Sequence, residues 1–114
     1  MLECLYGSLY DPLMDKVYTV YSMASKRRGT LYIGVTNDIA RRVYEHKHDP
    51  RGFVKQYKVN QCVYIKDFYD VEEAIAYEKL LKTWYRKWKI DLIEKQNLYW
   101  QDIGFIRLRE KPQL

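Results

Sequence analysis

The chain has 114 residues, of which 47% are hydrophobic, enough for one domain of ordinary size with a real core. That composition excludes a disordered chain, and five glycines and three prolines exclude a collagen-like or linker-dominated one. A net charge of +5 and a pI near 9.1 favour polyanionic partners, nucleic acid before anionic membrane.

Residues 1–14 show no clear period and carry Gly7 and Pro12, so they read as an N-terminal extension. They have neither the basic start nor the apolar run of a signal peptide, and no stretch elsewhere is long enough to span a bilayer. A cytoplasmic location is the expectation. Cys4 and Cys62 lie far apart without metal spacing; they could form one disulfide, but reduced thiols of a reducing compartment are the expectation. One domain is expected over residues 15–103, followed by a charged tail over 104–114.

Residues 17–23 are β-branched and aromatic and predict a strand. The basic segment ASKRRG, residues 24–29, predicts a turn, and residues 30–35 the returning strand. With Met23 opposite Thr30, Tyr21 falls opposite Tyr32 on one face. Thr36, Asn37 and Asp38 are helix-starting residues. A helix over 38–47 would bury Ile39 and Val43 and stack Arg42 and His46, four apart, on one edge of that stripe. Asp49-Pro50-Arg51-Gly52 breaks the helix, and residues 53–57 read as one further turn. Residues 61–68 predict a third strand. Asp70 and Glu73 form a capping-box pair opening a helix whose apolar stripe is Ala74, Tyr77, Leu81, Trp84 and Trp88. Glu78 lies at the edge of that stripe, one turn before Lys82. A last helical piece is expected over 90–95; no Gly or Pro marks a break before it.

There is no Gly-rich phosphate loop, no Cys/His zinc pattern and no Ser-centred elbow. His46 and His48 are two apart on a helix and face different ways, which disfavours a two-histidine metal site. The remaining parts are a hairpin with paired tyrosines, a helix offering Arg and His, and a helix offering one semi-buried carboxylate. Phosphoryl transfer uses such parts: a cation on the phosphate, a group that takes a proton from water, and a carboxylate for a hard metal. Each residue also has a plainer account. Glu78 can be an i,i+4 ion pair with Lys82, Arg41 and Arg42 a solvated patch, and the tyrosines packed strand residues.

The order of the motifs adds a resemblance. Thr19-Val20-Tyr21 followed by Tyr32-Ile33-Gly34 is similar to the signature of the GIY-YIG nucleases. The stretch GVTNDIARRVYEH resembles the family's helix, with Arg42 and His46 at its arginine and histidine positions. AIAYEKLLK resembles the segment that holds the metal-binding glutamate, here Glu78, and WKIDLIEKQN the closing segment with its asparagine, here Asn97. The likeness runs from about Val17 to Asp102 and is nearest to small stand-alone bacterial members, which resemble the catalytic module of the excision-repair incision subunit and of some homing endonucleases. The sequence departs in three places: Thr19 stands at the first glycine, Leu98 where proline follows the asparagine, and Val35 where some relatives carry lysine.

The resemblance implies an α+β fold, a three-stranded antiparallel sheet flanked by helices. It implies an endonuclease that hydrolyses DNA phosphodiester bonds with low sequence specificity, using Mg²⁺ or Mn²⁺, with a separate protein as a candidate for targeting. A DNA- or RNA-binding module with little turnover is the alternative. Tyr21, Tyr32, Arg42, His46 and Glu78 are the implied catalytic set. Glu78 would hold the metal, Arg42 would contact the scissile phosphate, and Tyr21, Tyr32 or His46 would take the proton. A tyrosine is too weakly acidic to serve at neutral pH unless a cation lowers its pKa, and Arg42 and the metal are the cations at hand. Gly34 would allow close approach of the phosphate or the next helix, and Asn97 would hold Tyr32 or a loop. Lys26, Arg27, Arg28, Arg41, Lys55, Lys82 and Arg86, with Lys87 and Lys89, are candidates for phosphate contact.

Overall fold

The computed structural model describes residues 17–48 and 58–104. The elements run β1 (Tyr18–Ala24), β2 (Leu31–Thr36), α1 (Ile39–His48), β3 (Gln61–Phe68), α2 (Val71–Thr83) and α3 (Arg86–Gln96). Both strand pairings are antiparallel, in the order β2-β1-β3. The fold is α+β, a three-stranded antiparallel sheet with helices packed on it. Among the described residues no helix is long and apolar enough to cross a membrane.

The central strand explains its own composition. Val20, Tyr21, Met23 and Ala24 are all buried because β1 is covered on both faces. One face packs Val20, Ala24, Ile33 and Tyr64 against Ala74 and Leu81 of α2, Ile93 of α3 and Trp100. The other packs Tyr21, Met23, Val59 and Cys62 against Ile39 and Val43 of α1. A bulge after Ser22 in the β1–β3 ladder gives β3 one extra residue there. Thr19, at the signature's first position, is buried and donates to Asp67 Oδ1 at 2.8 Å, tying β1 to β3.

The hairpin register differs from the expected one by two residues. Tyr21 lies opposite Gly34, and Met23 opposite Tyr32. The turn sets this. Ser25 N–H donates to the Thr30 carbonyl at 3.1 Å, Thr30 N–H to Ser25 Oγ at 3.0 Å, and Gly29 N–H to the Lys26 carbonyl at 2.9 Å. Arg28 adopts φ 56° between them. These bonds add Ser25 and Thr30 to the turn and start the ladder at Ala24 and Leu31. A slip of two keeps every side chain on its face, so the tyrosines remain together as diagonal neighbours.

Asp38 caps α1, its Oδ1 accepting from Arg41 N–H at 3.2 Å. Asp70 caps α2, but its bond goes to Glu72 N–H at 3.1 Å rather than to Glu73 as a capping box has it. The run of apolar residues expected to continue through Trp88 is cut. Trp84 and Tyr85 are extended, with ψ 150° at both, so α2 stops at Thr83 and α3 begins at Arg86, ahead of the expected residue 90. Trp84 packs on the α2–α3 core, whereas Trp88 stays half exposed. After α3, Asn97 holds the returning loop: its Nδ2 donates to the Val63 and Gln101 carbonyls at 3.0 and 2.8 Å, and its Oδ1 accepts from Gln101 N–H at 3.0 Å. Asn97 thus holds a loop and not Tyr32. Packed chain continues to Gly104, which is buried against Val43 and Cys62. The expected break at 49–52, the turn over 53–57, Lys55 and Cys4 lie outside the described residues.

Candidate active site

Three elements bring four of the candidate residues together on the α1 face. Tyr21 comes from the central strand, Tyr32 from the edge strand, and Arg42 and His46 from successive turns of α1. The two tyrosine rings lie 6.3 Å apart between centroids, and the His46 ring is 5.8 Å from Tyr21 and 5.1 Å from Tyr32. Tyr21 Oη stands 3.3 Å from His46 Nε2. The Arg42 guanidinium donates to the same hydroxyl.

Tyr21 is 1% exposed, and burial pushes its hydroxyl up to about 12 from the ordinary 10, against the opposing pull of Arg42. This corrects the expectation that the local cation would draw a tyrosine toward phenolate: for Tyr21, desolvation under α1 outweighs it. A hydroxyl that keeps its proton, and accepts from Arg42, has one hydrogen to donate. His46 Nε2, 3.3 Å away, stands where it accepts that hydrogen when the neutral ring carries its proton on Nδ1. Arg42 in turn is held even more firmly as a cation, first by Tyr21 and then by Glu45, whose carboxylate it meets at 3.1 Å. Arg41 reaches the same Glu45 at 3.8 Å and is exposed. Glu45 was not singled out from the sequence, although its i+3 and i+4 spacing from the arginines was the available signal.

The fold gives Gly34 a reason of its own. The space over its Cα is filled by the Tyr21 ring, so that a Cβ there would meet Tyr21 Oη at 2.5 Å and Cζ at 2.7 Å. The glycine seats Tyr21.

Glu78 belongs to the other layer, on α2. It is buried, and its Oε2 pairs with Lys82 Nζ at 2.5 Å, the plainer account of this residue. What connects the layers is a groove of about 330 Å³ at the end of β2, lined by Tyr18, Val35 and Thr36 of the strands, Arg41 and Arg42 of α1, and Val71 and Ile75 of α2. Glu78 follows Ile75 by one helical turn.

With this geometry in hand, the comparison with known families is decisive: a family model described as the GIY-YIG catalytic domain matches residues 17–91. The chain belongs to the GIY-YIG family. No curated protein and no solved structure matches it. The GIY-YIG match runs from the start of β1 into α3 and so takes in both tyrosines, Arg42, His46 and Glu78, while Asn97 lies beyond it. GIY-YIG domains are endonuclease domains that generally depend on a divalent metal.

Among the described residues no group of three or more His, Cys, Asp or Glu side chains is placed to hold a metal ion. A hard cation such as Mg²⁺ needs fewer: one carboxylate, with water and substrate phosphate completing the shell. Glu78 fits such a one-carboxylate site and no richer one, with Lys82 as the resident counter-charge.

The basic residues divide. Lys26, Arg27 and Arg41 are exposed. Arg28 forks onto Glu94, at 2.8 and 2.9 Å, and Arg86 donates to the carbonyls of Arg28 and Gly29, so both help to dock the β1–β2 turn on α3.

Proposed function

We propose that the chain is a divalent-metal-dependent endonuclease that hydrolyses DNA phosphodiester bonds with low sequence specificity. The observation that carries this reading is the meeting of Tyr21, Tyr32, Arg42 and His46 on one face, in a chain that belongs to a family of endonucleases. Arg42 offers a fixed planar fork to the scissile phosphate and to the charge that grows on it. Tyr21, kept as a phenol, positions Arg42 and His46. Tyr32, partly exposed on the same face, orients the attacking water, and the proton goes to Tyr32 or to His46. Glu78 would hold the cation, which when bound supplies positive charge for the phosphate. Exposed Lys26, Arg27 and Arg41 attract the DNA backbone without reading sequence.

The test is cleavage of supercoiled plasmid and of branched DNA with Mg²⁺, with Mn²⁺ and with excess chelator. Nicking with metal and none in chelator is the expected result. Undiminished cleavage in chelator overturns the metal dependence. The Glu78–Lys82 pair favours a second reading, a DNA- or RNA-binding module with little turnover. Salt-sensitive DNA binding without cleavage under any metal would select it.

A further inference from the structure

The sequence Lys82-Thr83-Trp84-Tyr85-Arg86-Lys87-Trp88-Lys89 interleaves cations with aromatic rings and contains no carboxylate. The site above uses none of those rings. The break between α2 and α3 falls inside this segment and turns the rings outward. Tyr85 is 72% exposed and Trp88 49%, while Trp84 is anchored in the core. Trp88 meets both neighbours at steep ring angles, 72° to Tyr85 at 4.9 Å and 89° to Trp84 at 6.0 Å between centroids, so neither neighbour lies flat on it. Large aromatic surface left in water beside its own polar rim marks an interaction site.

The fold then adds a second basic segment from far away in the chain. Arg86 holds the carbonyls of Arg28 and Gly29, which sets the β1–β2 turn, with exposed Lys26 and Arg27, against the start of α3. Two carboxylates act on Arg28 at this junction: Glu94, held in the Arg28 fork and by the Trp100 indole N–H at 2.7 Å, and exposed Asp91, which pulls on it from further off. At its α2 end the surface passes through Lys82 to Glu78.

We infer that this corner is a stacking surface for an unpaired stretch of DNA: bases lie on Tyr85 and Trp88, and the neighbouring cations track the phosphates. Protein interfaces are depleted in lysine at their cores, whereas stacked rings set among cations suit a flexible polyanion whose bases have free faces. A duplex hides those faces within its own stack and offers only the phosphates. That the polyanion is DNA rests on the nuclease reading; the stacking chemistry does not.

The experiment is binding of a fluorescein-labelled thymidine oligonucleotide of about twelve residues, a length within one ordinary single-strand site, in excess chelator so that cleavage is irrelevant. Fluorescence anisotropy gives the affinity, and quenching of the exposed tryptophan reports stacking. Trp88→Ala should weaken single-strand binding by about tenfold or more, and Trp88→Phe by less. Binding of a duplex of equal length should fall much less. Lys87→Ala should weaken single strand and duplex alike. Tyr85→Ala, at a more exposed position, should reproduce the loss and covers the case in which Trp88→Ala fails to fold. Equal effects of Trp88→Ala on single strand and duplex, no effect on either, or tighter binding of the matching RNA would overturn the inference. Metal-dependent nicking without stacking would leave the nuclease reading standing alone, and stacking without nicking would leave this surface standing alone.

Discussion

Gly34→Ala is the smallest change that reaches the site. The new Cβ would lie 2.5 Å from Tyr21 Oη and 2.7 Å from its Cζ, inside any real carbon contact. Tyr21 cannot slide away: it is buried against Met23, Ile39 and Val43, and its hydroxyl is held by Arg42 and His46. Overpacking of this kind costs about 1–3 kcal/mol. Replacing glycine in a strand returns roughly 0.5–1 kcal/mol through the less flexible unfolded chain. Taking the middle of each range, the net loss is about 1 kcal/mol, a fall in Tm of roughly 4–8 °C for a domain of this size. Thermal unfolding followed by circular dichroism measures it. Tyr21→Leu should remove the clash, so that Gly34→Ala becomes neutral or stabilising in that background. Tyr21→Phe should relieve it only in part, because the Cζ contact survives. An unchanged Tm in Gly34→Ala, or an equal loss in the Tyr21→Leu and wild-type backgrounds, would refute the claim that the glycine seats the ring.

Other tests follow from the same geometry. Because the folded Tyr21 hydroxyl sits at about 12 and an unfolded tyrosine at 10, the unfolded chain loses this proton first as pH rises; stability should fall by about 2 kcal/mol between pH 10 and 12, and Tyr21→Phe should flatten that fall in urea titrations. For the same reason, Tyr21→Phe should leave the shape of the cleavage pH profile between pH 7 and 9 unchanged; loss of a rise there in Tyr21→Phe would contradict it. Glu78→Gln should abolish metal-dependent nicking with the fold and DNA binding intact, while Lys82→Met should tighten Mg²⁺ binding measured by calorimetry; unchanged Mg²⁺ affinity in both would leave the pair purely structural. Arg42→Lys keeps the charge but loses the fork, and should slow cleavage by about 10²–10³-fold in single-turnover assays.

The sequence made some elements legible and hid others for identifiable reasons. The third strand has the limits expected, Gln61–Phe68, and α1 starts within one residue of its expected place, because a β-branched and aromatic run and the Asp38 cap are local signals. The Glu78–Lys82 pair was also local, four residues apart on one helix. The hairpin register was not, since it depends on bonds that Ser25 and Thr30 make inside the turn. Nor was the helix break, where neither Gly nor Pro stands and where the decision lies with Trp84 packing into the core while Trp88 does not. At the site, the nearness of the tyrosines and of Arg42 to His46 could be read from strand and helix periods. The direction of the Tyr21 shift could not, because it is set by how completely α1 covers the strand.

That cover also explains how a site can draw on both layers of so small a domain. A side chain on one face of a central strand is cut off from the other face by the sheet itself. β2 is an edge strand, however, and among the described residues no further strand separates the helices past its end. There the Arg41 and Arg42 turn of α1 and the Val71 and Ile75 turns of α2 line one groove. The α1 face supplies the buried, firmly bonded members, Tyr21 and His46, whose value lies in holding Arg42 and Tyr32 still. On α2, Glu78 stands one helical turn past Ile75 of the groove and pairs with Lys82, whose side chain is half exposed on the helix surface. On the proposed reading, the edge of the sheet is therefore where Arg42 in the groove and Glu78 one turn beyond it would act on one phosphate.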